Sequence, residues 1–157
     1  MFIEGVAPEP FQDIDGMKPG LKYAYYDGGW SSLPDFSNLT PKSTGIAQIP
    51  KLSVSLKKDS CAIQFNGYIY IDKEEMHNIY SISDDGSKVF LNDKLIVNND
   101  GNHGSVPEAY LIPLKKGYYP IKILYFENSG GQELQVGYWT DGNEPKPFTK
   151  DMLFYKE

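Results

Sequence analysis

The stretch IYSISDDGSKVFLN, residues Ile79 to Asn92, alternates apolar and polar side chains at both ends and carries two adjacent carboxylates and a glycine in its middle. Alternation with period two marks a half-buried β-strand. Asp and Gly are poorly tolerated in strands, because they pack badly and cost backbone entropy. The stretch therefore reads as strand interrupted at Asp84-Asp85-Gly86, and that interruption needs a reason.

The same pattern continues on both sides. Upstream, Gly20-Leu21-Lys22-Tyr23-Ala24-Tyr25-Tyr26 alternates and stops at Asp27-Gly28-Gly29, and Leu52-Ser53-Val54-Ser55-Leu56 alternates strictly. Between them, residues 30–50 carry Pro34, Pro41 and Pro50 among several Ser and Thr, which predicts an irregular excursion. Ala62 to Ile71 predicts one continuous strand with a glycine bulge at Gly67, since a turn at Asn66-Gly67 would leave flanks too short to pair. Downstream, Asn92-Asp93-Lys94 predicts a hairpin loop leading into Lys94–Asn98, and the polar run 98–105 predicts a surface loop. Strands follow at 108–114, 118–126 and 132–139, separated by a turn at Lys115-Lys116-Gly117 and a loop at 127–131. No segment sustains the helical period. Short strands separated by turn signals define an all-β protein, an antiparallel β-sandwich or barrel.

The 157 residues suffice for one domain with a substantial core. Residues 1–19, rich in Pro and Gly and without periodicity, read as a linker from an upstream domain, and residues 20–157 as the domain itself. A net charge of −6 with 15 scattered basic residues argues against a nucleic-acid partner, which needs a basic patch. No window approaches the about 20 apolar residues of a membrane span. Met1-Phe2-Ile3-Glu4-Gly5 lacks the basic start and apolar core of a signal peptide. The single Cys61 forms no intramolecular disulfide and, in a strand-like run, reads as a small buried hydrophobe.

Neighbouring carboxylates on a regular strand point to opposite faces. Asp84 and Asp85 can address one point only if the backbone departs from strand geometry, which Gly86 permits. Two converging carboxylates repel until a cation arrives, and calcium suits them because it accepts carboxylates, amides, carbonyls and waters in flexible geometry. Zinc would require His77, His103 or Cys61. The alternative is a solvated bend, and the spacing leaves both open. Trp30 and Trp139 are each a core residue or a sugar-stacking one. Asn98-Asn99-Asp100-Gly101 lacks the alternating carboxylates and terminal Glu of an EF-hand loop and reads as a surface turn bordering the site. The pairs Glu74-Glu75 and Asp13/Asp15 do not make a glycosidase, whose two acids must face each other across a cleft. Neither histidine has a nucleophile motif to serve.

Phe65-Asn66-Gly67-Tyr68-Ile69, the run from Tyr80 to Asn92, Asn98-Asn99-Asp100-Gly101, Lys116-Gly117-Tyr118-Tyr119-Pro120-Ile121 and Tyr125-Phe126-Glu127 occur in an order that resembles the anthrax protective-antigen (PA14) domain family, over roughly residues 20–140. The resemblance implies a β-sandwich module. In the family's sugar-binding adhesins, two consecutive aspartates joined by a cis peptide hold calcium, which binds sugar hydroxyls. Asp84 and Asp85 fall on that pair, Asn128 matches the family's asparagine, and Gly130 and Gln132 fall where its carbonyl ligands lie. The run through Asn99, Asp100 and His103 borders the implied glycan site and looks like copies appended to secreted bacterial glycosidases, especially β-N-acetylhexosaminidases. The adhesins carry extra disulfides and specificity loops that a chain with one Cys cannot reproduce.

The resemblance thus implies a non-catalytic, calcium-dependent carbohydrate-binding module that binds a glycan or oligosaccharide. Its partner would be the upstream catalytic domain of a secreted, periplasmic or cell-surface glycoside hydrolase. The second expectation is a structural module that packs against that domain without binding sugar, which a hydrophobic patch on one sheet face would favour. A stand-alone hydrolase would need two converging acids that the sequence does not offer.

Overall fold

The computed structural model describes residues 8–55 and 59–157. Twelve strands are present among them: β1 (Met17–Pro19), β2 (Leu21–Asp27), β3 (Ser43–Ala47), β4 (Cys61–Ile71), β5 (Glu75–Asp84), β6 (Ser87–Leu91), β7 (Lys94–Asn99), β8 (Val106–Leu114), β9 (Gly117–Glu127), β10 (Glu133–Thr140), β11 (Lys146–Pro147) and β12 (Leu153–Lys156). The larger antiparallel sheet runs β1-β12-β4-β9-β6-β7, with β2 also paired to β4 and β3 to β2. The smaller runs β11-β10-β5-β8. The all-β sandwich read from the sequence is the observed fold.

The strand alternation explains the core. From the large sheet, Ile63, Phe65, Ile121, Ile123 and Tyr125 point inward; from the small one, Ile79, Ile112 and Val136 meet them. Burying each such side chain contributes about 1.5–3 kcal/mol. The 30–40 excursion covers part of the large sheet's outer face, where Phe36 and Trp30 pack on Tyr26, Ala62 and Phe126. Trp30 is therefore core, whereas Trp139 lies beside Tyr80, ring centroids 5.9 Å apart.

The interruption at Asp84-Asp85-Gly86 has a topological reason. β5 belongs to the small sheet and β6 to the large one, so the chain changes sheets there. It changes sheets twice more at the same end, between β7 and β8 and between β9 and β10. The register fixes their proximity: Asp84 opposes Glu133, Ser83 opposes Val106, and Ser87 opposes both Asn99 and Tyr125. Three crossovers thus converge on one edge of the sandwich.

Several expectations are corrected. Leu52–Val54 forms a 3-10 turn rather than a strand, its Leu52 and Val54 packing against the core; Leu56 lies outside the described residues. The 30–50 excursion contains β3, paired with β2 from Leu21↔Ala47 to Tyr25↔Ser43. No bulge occurs at Gly67, because the β4–β9 register is unbroken from Cys61 to Ile71. Glycine is required there for space: a Cβ would lie 2.3 Å from the Phe154 carbonyl oxygen on β12. β7 runs on to Asn99, one residue beyond the expected end of that strand at Asn98. Asn92 and Asp93 adopt positive φ of 50° and 62°, the backbone of a two-residue hairpin turn, as their residue types predict.

The described part of the first 19 residues lies against the sandwich. Phe11 exchanges backbone hydrogen bonds with Tyr118, the Tyr119 hydroxyl donates to the Pro8 carbonyl, and β1 pairs with β12. Among the described residues, no helix is long and apolar enough to cross a membrane.

Candidate functional site

At the convergence of the crossovers, one carboxylate oxygen from each of Asp84, Asp85 and Glu127 lies within 4.8 Å of the others. The peptide joining Asp84 to Asp85 is cis. Asp85 is buried, and its Oδ2 accepts a 2.8 Å hydrogen bond from the Asn128 backbone N–H. The Tyr125 hydroxyl donates to the Asp84 carbonyl oxygen at 2.6 Å, tying the crossover to β9. Gly86 is required by close packing: a Cβ would fall 2.6 Å from Phe126 and 2.7 Å from the Gly101 nitrogen.

Glu127 was not singled out from the sequence, yet a signal for it exists. On β9, Ile121, Ile123 and Tyr125 face the core, and period two puts Glu127 on that same face. It is fully buried, and neither carboxylate oxygen has a hydrogen-bond partner. Burial first, then the charges of Asp85 and Asp84, push its pKa up to about 8. Burial and then Asp85 likewise hold Asp84 above the ordinary carboxylate value.

A buried, unpaired carboxylate is costly unless a proton or a cation compensates it. Three hard oxygen donors fit calcium or magnesium and do not fit zinc, which prefers nitrogen and sulfur. Neither histidine is aimed at the cluster. His77 is buried with Nδ1 against the Glu75 carbonyl. His103 makes contacts of 2.7 Å and 2.9 Å from its two ring nitrogens to the Gly104 and Asn99 carbonyls. Two carbonyl acceptors call for both ring N–H groups. Burial opposes the positive charge, but these hydrogen bonds and the charges of Asp85 and Asp84 outweigh it and hold the His103 pKa above 6.5.

The remaining expected site residues divide. Asn128 adjoins Asp85 through its backbone, and its carbonyl accepts from Ser60 N–H. Gly130 and Gln132 lie on the exposed β9–β10 crossover, where a Cβ on the intervening Gly131 would sit 3.1 Å from Asp84 Oδ2. Asn99 is buried, and its amide donates to the Val106 carbonyl at 2.7 Å and the Ser81 carbonyl at 3.3 Å, bracing β7 to the small sheet. Asp100 accepts from the backbone N–H of Leu33 and of Gly101, both at 2.8 Å, and so anchors two loops. Cys61 is buried, and burial pushes its thiol pKa up.

An antiparallel two-sheet sandwich with a consecutive Asp-Asp pair at a crossover defines the class, and comparison with known proteins gives the family. The model of the PA14 domain matches residues 17–149, and the chain belongs to that family. Among curated protein sequences, none matches the chain. Among solved structures, the PA14 domain of the MpAFP antifreeze protein aligns with a TM-score of 0.72 at 17% identity, over 95% of this chain and 97% of that one. The PA14 sugar-binding domain of an RTX adhesin gives 0.71 at 15% identity, covering 87% and 98%. The A domain of epithelial adhesin 9 from Candida glabrata, in complex with Galb1-4GlcNAc, gives 0.76 at 11% identity, covering 96% of each.

Proposed function

We propose that this PA14 domain is a non-catalytic carbohydrate-binding module that holds calcium between Asp84 and Asp85 and presents the ion to sugar hydroxyls. The observation that carries this reading is the convergence of Asp84, Asp85 and Glu127 around one point, with both Glu127 oxygens buried and unpartnered. Calcium would neutralise that cluster and, with open coordination positions, accept vicinal hydroxyls. The sugar-binding adhesin domains of the same fold support the reading. Asn128, Gly130 and Gln132 would complete the ion's shell from the β9–β10 crossover, with Asn99, Asp100 and His103 at the border of the glycan site. We further infer that the domain serves an upstream catalytic domain of a secreted bacterial glycoside hydrolase of the β-N-acetylhexosaminidase kind. It would act at the cell surface, in the periplasm or outside the cell.

A glycan array probed in calcium and again in EDTA tests this. Binding present in calcium, absent in EDTA and absent in Asp85→Ala is expected. Equal binding in EDTA would overturn the role of the ion.

One observation favours a second reading, a module that packs against its neighbour domain. Met76 and Leu111 on the outer face of the small sheet are exposed, and on the same face Tyr80, Ile82, Pro107, Ala109 and Trp139 line a groove of about 410 Å³. An array with no calcium-dependent hit would favour it.

A further inference from the structure

The outer face of the large sheet carries a trough lined by lysines and aromatic rings, at a distance from the acidic cluster. Register places Lys22, Asn66, Lys122 and Phe90 in one cross-strand row over β2, β4, β9 and β6. In-register residues on neighbouring strands share a face, and strands lie about 4.8 Å apart, so the two lysines rise about 10 Å apart with the Asn66 amide between them. A cavity of about 450 Å³ opens over this row, lined also by Tyr68 and Lys156. Lys22 also borders a depression of about 390 Å³ reaching Thr44, and Lys122 one of about 320 Å³ reaching Gln64. The three lie side by side along this face, the first sharing Lys22 with the second and Lys122 with the third, and together they make up the trough.

The charges are available. Neither Lys22 nor Lys122 makes an ion pair among the described residues, whereas Lys18, Lys42, Lys88 and Lys115 all do. Lys122 Nζ instead lies 5.1 Å from the centre of the Phe90 ring. Of the acids in the trough, Glu157 is paired with Lys18 at 3.0 Å, and Asp35 is occupied by the Ser37 N–H and hydroxyl and the Asn38 amide. Asp93, on the exposed hairpin, is the remaining one.

We propose that this trough binds an anionic oligosaccharide, whose carboxylate or sulfate groups bridge Lys22 and Lys122 while its rings lie on Phe90 and Tyr68. Lysine ammonium groups provide charge-assisted hydrogen bonds to such anions, and half-buried aromatic rings offer apolar faces to sugar C–H groups. The trough is longer than a single small anion needs. It lies on a sheet face whose backbone hydrogen bonds are already made, so a peptide cannot add to it as a strand. Lys122 and Glu127 are five residues apart along β9, about 16 Å, so the site is independent of the calcium cluster.

The test is calorimetric titration in EDTA with a uronate hexasaccharide, a sulfated hexasaccharide, a neutral hexasaccharide and a hexaglutamate peptide. An anionic sugar is expected to bind, the neutral one not, and binding to weaken as ionic strength rises. Preference between the two anionic sugars identifies the acidic group. Lys22→Gln and Lys122→Gln are each expected to weaken binding about five-fold, and the pair about 25-fold if the effects add. Lys22 is exposed, so Lys22→Gln tests the site even if Lys122→Gln does not fold. Equal affinity for the neutral sugar, an unchanged affinity in folded Lys22→Gln, or hexaglutamate binding as tightly as the sugars would overturn the proposal. EDTA keeps its failure separate from that of the calcium reading.

Discussion

Replacing Glu127 by Gln gives a prediction whose sign reverses with the ion. In the metal-free domain the Glu127 carboxyl has a pKa of about 8 against an ordinary 4.5. The folded value lies above the unfolded one, so the folded state holds the proton more tightly. Stability is then highest below pH 4.5, falls as pH rises through that value, and has lost the whole contribution beyond about pH 8. At about 1.4 kcal/mol per tenfold change in proton affinity, the charged form costs up to ~5 kcal/mol near pH 8. Gln removes that cost but leaves a buried amide that lacks partners, at about 1–3 kcal/mol. The net expectation at pH 8 in EDTA is a gain of about 2–4 kcal/mol; near pH 4, where no charge is relieved and only the cost of the amide remains, it is a loss of about 1–3 kcal/mol. Urea unfolding of both proteins at the two pH values, in EDTA, measures it. In calcium the order reverses, because the variant has lost a ligand or a compensating charge. The reasoning fails if Glu127→Gln is less stable than the parent at pH 8 in EDTA, or if both lose stability equally between the two pH values.

Gly67→Ala is expected to cost about 1–3 kcal/mol by thermal unfolding, since its Cβ would lie 2.3 Å from the Phe154 carbonyl oxygen; a neutral result would show that β12 yields easily. His103, titrated by NMR, should show a pKa above 6.5 in EDTA and a lower one in calcium, because the ion offsets Asp84 and Asp85. Its raised folded value makes its contribution to stability fully present below 6.5 and lost as pH rises through the folded pKa. A pKa insensitive to calcium would place the ion elsewhere. Cys61, buried and with its thiol pKa pushed up, should resist a thiol reagent at pH 8 until the domain unfolds; fast native labelling would contradict its burial.

The sequence showed the strands whose pattern is set locally. Alternation located β2, β5, β6, β8, β9 and β10, and the positive-φ pair Asn92-Asp93 located the β6–β7 hairpin. What it did not show depends on partners distant in the chain. β1 exists because β12, far along the chain, pairs with it, and β3 because β2 does. At Leu52–Val54 the apolar alternation serves core packing without any ladder, so period two misled. At Gly67 the glycine answers a steric demand from Phe154 that no local pattern encodes. In the site, Asp84 and Asp85 are chain neighbours and their convergence could be reasoned from the sequence. Glu127 reaches them through the crossover topology, and only its parity with Ile123 and Tyr125 hinted at a carboxylate turned inward.

The measurement that bears most directly on the calcium site is thermal unfolding of the EDTA-treated domain with and without millimolar calcium. A ligand that binds only the folded state raises its stability by mass action, about 3 kcal/mol at a hundred times its dissociation constant. A clear upward shift that Asp85→Ala abolishes is the predicted result. An unchanged unfolding temperature, or a shift undiminished in Asp85→Ala, would contradict it.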